Sequence, residues 1–223
     1  MTAPTPRFVV LDGVEGCGKS TQARLLAAYL TTRGVPVVRT LEPGDTPLGW
    51  RLRHLLLDDR EVEMTPLAEA LLFWADRAEH VARVIAPALQ AGRWVVCARF
   101  SPSTFAYQAW AGGLDLEEFF RFDRLTRAPL LDLPGREAGE GLPDLTLLLD
   151  LDPQQGVTRK GLTAALGVVG DNFEARELDF HRRVREGYLE YARRLGPAAV
   201  VVDADRPPDA VHRDILAHLG LED

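Results

Sequence analysis

Two cysteines, two methionines and two lysines are all that the 223 residues hold of those types. Cys17 and Cys97 cannot build a disulfide framework, and they read as reduced small residues of a cytoplasmic protein. No apolar run approaches the ~20 residues needed to cross a bilayer, which argues against a membrane span. The N-terminal Met1-Thr-Ala-Pro-Thr-Pro-Arg7 has no apolar signal core, so export is not expected. Basic residues are outnumbered, 26 against 33 acidic, for a net charge of −7. That balance argues against a nucleic-acid-binding face and leaves room only for a local basic pocket. Internal repeats and low-complexity segments are also missing. What remains is 46% hydrophobic and 26% charged. Such a chain, taken over residues 1–223, fills one α/β domain and is too short for two.

The scarcity of lysine makes the position of one of them informative. Phe8-Val-Val-Leu-Asp12 reads as a short buried strand, and Thr21 to Thr32 as an amphipathic helix. Between them stands Gly13-x-x-x-x-Gly18-Lys19-Ser20, a phosphate-binding loop in the strand-loop-helix context that confirms it. A chain that writes arginine at 24 of 26 basic positions keeps the compact ammonium of lysine here. Backbone N–H groups converge on phosphate oxygens because glycine tolerates the required turn, and the helix N-terminus adds partial positive charge. Gly13, Val14, Glu15, Gly16, Cys17, Gly18, Lys19, Ser20 and Thr21 are therefore the candidate residues for ATP. Lys19 would reach the β and γ phosphates, and the Ser20 hydroxyl would bind Mg²⁺.

Further strands are expected at Val35–Leu41, Trp94–Cys97, Leu145–Leu149 and Ala199–Val202. Helices are expected at Leu48–Leu57, from Thr65-Pro66 to about Gln90, through Tyr107, and over Leu116–Arg127, Phe173–Leu195 and Asp209–Leu219. Asp76, Arg77, Glu79 and His80 interrupt the apolar residues of the second of these, so one of its faces is not simple core. Pro134 to Pro143 reads as a polar surface excursion. Five short strands alternating with helices mean an α/β fold of the P-loop NTPase kind: a five-stranded parallel sheet with helices on both faces. Gly161, Gly167 and Gly170 in a basic stretch suggest a small lid over about 157–173. Ligands bind at the carboxyl ends of such strands, here Asp12, Leu41-Glu42, Ala98-Arg99, Asp150-Leu-Asp152 and Asp203. Arg99 directly follows a buried strand at that edge, and its planar fork suits an acceptor carrying its own phosphate.

Glu42-Pro-Gly-x-Thr-Pro-Leu-Gly49 and Leu72-Phe-Trp-Ala-Asp-Arg-Ala-Glu-His80 resemble two stretches of bacterial thymidylate kinases. So do Pro87-Ala-Leu with the Arg99-to-Gln108 segment, Pro143-Asp-Leu-Thr-x-x-Leu-Asp-Leu-Asp-Pro153, and Phe180-His-Arg-Arg-Val-Arg-Glu-Gly-Tyr-Leu-Glu190. The resemblance covers nearly the whole chain in the right order. It implies transfer of the γ-phosphate of ATP to dTMP with Mg²⁺, and a homodimer. It also assigns roles. Phe73 stacks on thymine, Arg77 bonds a thymine carbonyl, and Gln108 reads the base edge. Tyr107 lies under the deoxyribose, and Arg99 holds the dTMP phosphate. Glu42 sits near the sugar and the waters of the metal. Asp12, Pro43 and Ser103 complete the acceptor set, and Asp150 is a structural acid near the adenine side.

Four positions depart from that pattern: Leu41 replaces an arginine, Asp45 a glycine, Ala98 an aspartate and Asn172 an arginine. Arg39, two residues before Leu41 on the same side of a strand, is a candidate replacement. Arg159, as a catalytic cation, and Lys160 are candidates for the charge missing at Asn172, since a cation on the transferring phosphoryl is worth about 10³-fold or more. Three readings stay open at this point: an active dTMP kinase, a same-fold nucleotide-binding protein with weak or lost activity, and a kinase for another nucleoside monophosphate.

Overall fold

A computed structural model describes residues 7–58, 62–131, 133, 141–160 and 171–222. Most of the expected lid, and most of the Pro134–Pro143 excursion, lie outside the described residues, as do the side chains of Lys160 and Asn172. Five strands form one parallel sheet in the order β2-β3-β1-β4-β5. They are β1 (Phe8–Gly13), β2 (Val37–Leu41), β3 (Trp94–Ala98), β4 (Leu145–Asp150) and β5 (Ala199–Asp203). Parallel neighbours need crossover connections. These are built from α1 (Lys19–Thr32), α2 (Pro47–Arg53), α3 (Pro66–His80), α4 (Ala86–Gln90), α5 (Ser101–Thr104), α6 (Leu116–Thr126), α7 (Pro153–Lys160) and α8 (Asp171–Leu195), and α9 (Pro208–Leu219) follows β5.

Alternation along β1 assigns the two faces. Val9 and Leu11 pack with Leu26 and Leu30 of α1, Val184 and Tyr188 of α8, and Ile215 of α9. Phe8 and Val10 pack on the other side with Val81, Ile85, Leu89 and Phe100. A third cluster joins Trp74 of α3, Phe105, Phe119 of α6 and Tyr191 of α8. β1 is therefore buried on both faces, as its unbroken apolar run suggests.

Local signals explain the helix starts. Thr65 caps α3 by accepting from Ala68 N, with Pro66 in the first turn. Asp115 caps α6 by accepting from the Glu117 and Glu118 N–H groups. The expected run to Gln90 is helical throughout, α3 joining α4 through a π-helical segment, Val81–Ile85. Leu67 and Leu71 of that run are exposed rather than core.

One helix was not expected. Pro153–Lys160 is α7, whose last residues overlap the stretch assigned to the lid. Asp152 accepts from Gln154 N through its side chain, and Pro153 stands in the first turn. These are ordinary start signals, outweighed in the sequence by the basic stretch that follows.

The register places all strand ends together. Leu11 and Leu41 both pair with Ala98, Gly13 with Leu149, and Asp150 with Asp203. Beyond that edge lie the phosphate loop, Glu42, Arg99 and Leu151. β1 and β3 are adjacent, but the chain leaves β1 toward β2 on one side and returns past β1 to β4 on the other. That reversal is where open α/β sheets form their crevice.

Candidate active site

The loop between β1 and α1 turns on its glycines, with φ of 139° at Gly13, 74° at Gly16 and 97° at Gly18. Lys19, the first residue of α1, folds back under it. Its Nζ donates to Gly13 O at 3.0 Å and Val14 O at 2.7 Å, and lies 3.5 Å from Cys17 Sγ. Burial, then the charge of Arg99, lowers the pKa of this ammonium. The first turn of α1 carries no acidic side chain, so nothing there competes with an anion for the helix N-terminus.

A cavity of about 680 Å³ opens beside the loop. Glu15, Gly16, Gly18, Lys19, Ser20 and Thr21 line one wall. Glu42, Pro43, Phe73, Arg77, Arg99, Ser103, Tyr107 and Gln108 line the rest, joined by Arg53, Leu57, Glu69, Phe100, Thr104 and Arg159. Residues from the ends of β2 and β3, from α3 and from the segment after α5 thus meet one phosphate loop. Gly13 and Val14 line no part of it and contribute the carbonyls that hold Lys19. Cys17 is buried and faces a second hollow.

Asp12 is also absent from the lining, being fully buried. Its Oδ1 accepts from Gly13 N at 2.9 Å, Ser103 Oγ at 2.8 Å and Tyr188 Oη at 2.9 Å. Its Oδ2 accepts from Phe100 N and Ser103 N, both at 3.1 Å. One carboxylate therefore ties the end of β1 to the chain after β3 and to α8. It reaches the cavity through two lining residues, Phe100 and Ser103, the second of which accepts from Arg99 Nη1 at 3.1 Å. Arg99 itself has φ of 72°, a strained conformation for a side chain of this size.

Behind the cavity wall, Arg77 is the centre of a buried charge network. Nε donates to Glu42 Oε2 at 2.9 Å, Nη1 to Asp123 Oδ1 at 3.3 Å and Nη2 to Thr104 Oγ1 at 3.0 Å. Its guanidinium lies 4.9 Å from the centre of the Phe100 ring, a cation–π contact. Arg127 pairs with the other oxygen of Asp123 at 2.9 Å. Asp76 accepts from Gly44 N at 3.0 Å through one oxygen, while its buried Oδ2 has no hydrogen-bond partner among the described residues. Burial, then the nearby Glu42, pushes its pKa up to about 7. The sequence marked this face of α3 as more than core, but gave no sign of Asp123 as the partner of Arg77.

The second hollow is lined by Gly16, Cys17, Gly18, Thr21 and Gln22 on the loop side, and by Ala204 to Pro208 and Val211 after β5. Sequence reasoning missed the residues after β5, whose only signal was Asp203 at a strand end. Arg159 lines both hollows. It is anchored by Ala204 O at 3.0 Å and Asp205 Oδ1 at 3.0 Å. Gln108 Nε2 donates to Glu69 Oε2 at 3.0 Å, leaving its carbonyl oxygen out of that contact.

The thymidylate kinase family model matches residues 11–215.

The chain belongs to the thymidylate kinase family.

It is 43% identical to a thymidylate kinase of Pelotomaculum thermopropionicum over 94% of this chain and 91% of that one. It is 46% identical to one of Gloeobacter violaceus over 96% and 94%. Its fold matches the crystal structure of a thymidylate kinase from Ehrlichia chaffeensis with a TM-score of 0.74 and 29% identity, covering 97% of this chain and 99% of the other. Two of the departures from the thymidylate kinase pattern sit in ordinary packing, Leu41 half-buried and Ala98 buried. Leu41 adds to the core beside Gly44, and Ala98 is 7% exposed, its carbonyl accepting from Glu42 N at 3.1 Å. Arg39, the candidate replacement for Leu41, is exposed and lines neither hollow.

Proposed function

We propose that this thymidylate kinase transfers the γ-phosphate of ATP to dTMP, giving dTDP and ADP, with Mg²⁺. The observation that carries the reading is the shared cavity, where the Glu15–Thr21 wall faces Phe73, Arg77, Tyr107 and Gln108. ATP lies with its phosphates on the loop and helix N-terminus and its base toward the second hollow. Phe73 stacks on thymine, and Arg77 and Gln108 read its polar edge through N–H donors and the free amide oxygen. Tyr107 fills the space beneath the sugar. Arg99, with Ser103 behind it, holds the dTMP phosphate so that one of its oxygens attacks the γ-phosphorus while the bond to the ADP oxygen breaks. Lys19 and Arg159 offset the charge that develops, the largest contribution a protein makes to this reaction.

The donor set fits Mg²⁺. The described residues contain no group of three or more His, Cys, Asp or Glu placed to cage a metal. That agrees with an ion bound through one protein hydroxyl, Ser20, with phosphates and waters supplying the rest. When bound, the ion screens the phosphate charges. Two further readings accompany this one. Exposed Leu48, Trp50, Leu67 and Leu71 on α2 and α3 support a homodimer through that face. Free, buried Cys17 and Cys97 support a reducing, cytoplasmic setting.

The test is ADP release from ATP and Mg²⁺ with dTMP, dUMP, dCMP or dGMP as acceptor. Turnover preferring dTMP, and lost in Lys19→Ala, is expected. Equal turnover with all four, or none with any, would overturn the assignment.

A further inference from the structure

Five side chains form a continuous relay behind the acceptor wall, and it ends on a residue with unusual backbone. Asp45, half-buried in the loop after β2, holds φ at 60°. Its Oδ2 accepts the Thr40 hydroxyl at 2.6 Å. Thr40 Oγ1 lies 2.6 Å from His80 Nε2, and His80 Nδ1 lies 2.9 Å from Glu42 Oε1. The other Glu42 oxygen accepts from Arg77. Thr40, His80, Glu42 and Arg77 are all buried.

Hydrogen accounting gives this relay a direction. A threonine hydroxyl has one hydrogen, and a carboxylate only accepts. With the Thr40 hydrogen on Asp45, the Thr40–His80 contact needs a hydrogen on Nε2. The Glu42 contact needs one on Nδ1. We propose that Asp45 is a positioning residue for the acceptor site: by taking the Thr40 hydrogen it orders His80 with hydrogens on both ring nitrogens, and so pins Glu42 in the orientation that holds Arg77 at the cavity wall. The effect on dTMP rests on the reading of Glu42 and Arg77 as acceptor-site residues. Without the Asp45 carboxylate, Thr40 donates to Nε2 instead, and the ring needs a hydrogen only on Nδ1. Glu42 then accepts from a neutral ring in place of a cationic one, keeping the hydrogen bond but losing the attraction between opposite charges that strengthens it. Glu42 contacts the ring from the β2 side, Asp45 stands behind Thr40 on that side, and Asp76 and Arg77 flank the ring on its own helix, so a cationic ring lies between acids from two elements.

Asp45→Gly and Asp45→Asn separate the relay from the fold, because both residue types adopt positive φ readily. Asparagine also keeps an oxygen to accept from Thr40. Imidazole ¹⁵N spectra of the five histidines, with His80 assigned from His80→Gln, report the ring hydrogens directly. The parent and Asp45→Asn should show both His80 nitrogens protonated, and Asp45→Gly only Nδ1. Calorimetric Kd and kinetic KM for dTMP should rise about fivefold in Asp45→Gly with kcat within about twofold, and Asp45→Asn should restore them. A parent ring with one protonated nitrogen, or an Asp45→Gly ring that keeps both, overturns the proposal. So does a changed ring with dTMP affinity unmoved. Should the parent lack kinase activity, the functional reading fails, while the spectra and the dTMP binding measurement still decide the relay.

Discussion

Gly156 of α7 lies so close to Gly16 of the phosphate loop that neither tolerates a side chain. A Cβ on Gly16 would stand 2.3 Å from Gly156 O, and a Cβ on Gly156 would stand 2.2 Å from Glu15 O. Both clashes are with backbone, which cannot swing aside. The helix that carries Arg159 is thus seated directly on the loop proposed to receive the ATP phosphates. Gly156→Ala should push the two apart, costing about 1–3 kcal/mol as overpacking does and raising KM for ATP. The affinity for dTMP, proposed to bind on the opposite wall, should change little. Urea unfolding and calorimetry with each nucleotide check both parts, and an unchanged KM for ATP would show that the loop does not depend on this seat.

Arg77 carries the acceptor wall because three elements converge on it. Removing it leaves Glu42 and Asp123 buried without their shared cation, so Arg77→Ala should destabilise by about 3–5 kcal/mol. Arg127 softens the loss at Asp123, and His80 at Glu42. The double variant Arg77→Met with Glu42→Gln removes the whole Arg77–Glu42 ion pair, leaves Asp123 to Arg127, and should recover the stability lost at Glu42 while dTMP binding stays lost. Denaturant midpoints beside dTMP calorimetry separate the structural effect from the binding one. Full recovery of dTMP affinity in the double variant would remove Arg77 from the site.

Most of the fold was legible because β1, β3 and β4 are short apolar runs and the helices between them carry clear start signals. Thr65-Pro66 and Gly18-Lys19 each announce a helix by local chemistry, and local chemistry is what a sequence displays. The phosphate loop was readable for the same reason: its residues are contiguous. Asp123 and Tyr188 were not readable as partners of Arg77 and Asp12, since they meet them only across α6 and α8, 46 and 176 positions away. Asp205, which anchors Arg159 from the far end of the sheet, was hidden likewise. The burial of Asp12 was hidden for a related reason. A strand-end acid looks available for substrate until its surroundings show five donors already filling it.

That filling makes Tyr188 a sensitive position. Its hydroxyl donates to Asp12 and contacts Ser103 Oγ at 2.9 Å, and burial, then the Asp12 charge, holds its pKa well above the ordinary phenol value. It therefore stays a neutral donor throughout the working pH range. Tyr188→Phe should cost about 1 kcal/mol of stability for the lost bond and loosen Ser103 beneath Arg99. KM for dTMP should rise while KM for ATP holds. Equal effects on both substrates would show a general weakening of the fold instead.

Asp76 gives the molecule a pH dependence whose sign follows from its burial. The carboxyl is raised from an ordinary 3.8 to about 7, so between those values the folded state holds a proton that the unfolded chain has released. Stability from this group is complete below about pH 4 and is lost as pH rises through 7, by at most about 1.4 kcal/mol per unit over that span. The structural cause is the Oδ2 atom without a partner beside Glu42, since an unpaired buried charge costs more than a neutral acid. Asp76→Asn keeps an oxygen for the Gly44 N–H and carries no charge at any pH. Its stability should therefore fall less steeply than the parent's between pH 4 and 7, so that the difference between the two proteins shifts steadily in favour of the variant. Urea midpoints taken in parallel at unit pH steps read that difference directly. A constant difference across the range would mean that Asp76 is already ionised in the folded protein, with a partner for Oδ2 that its surroundings do not supply.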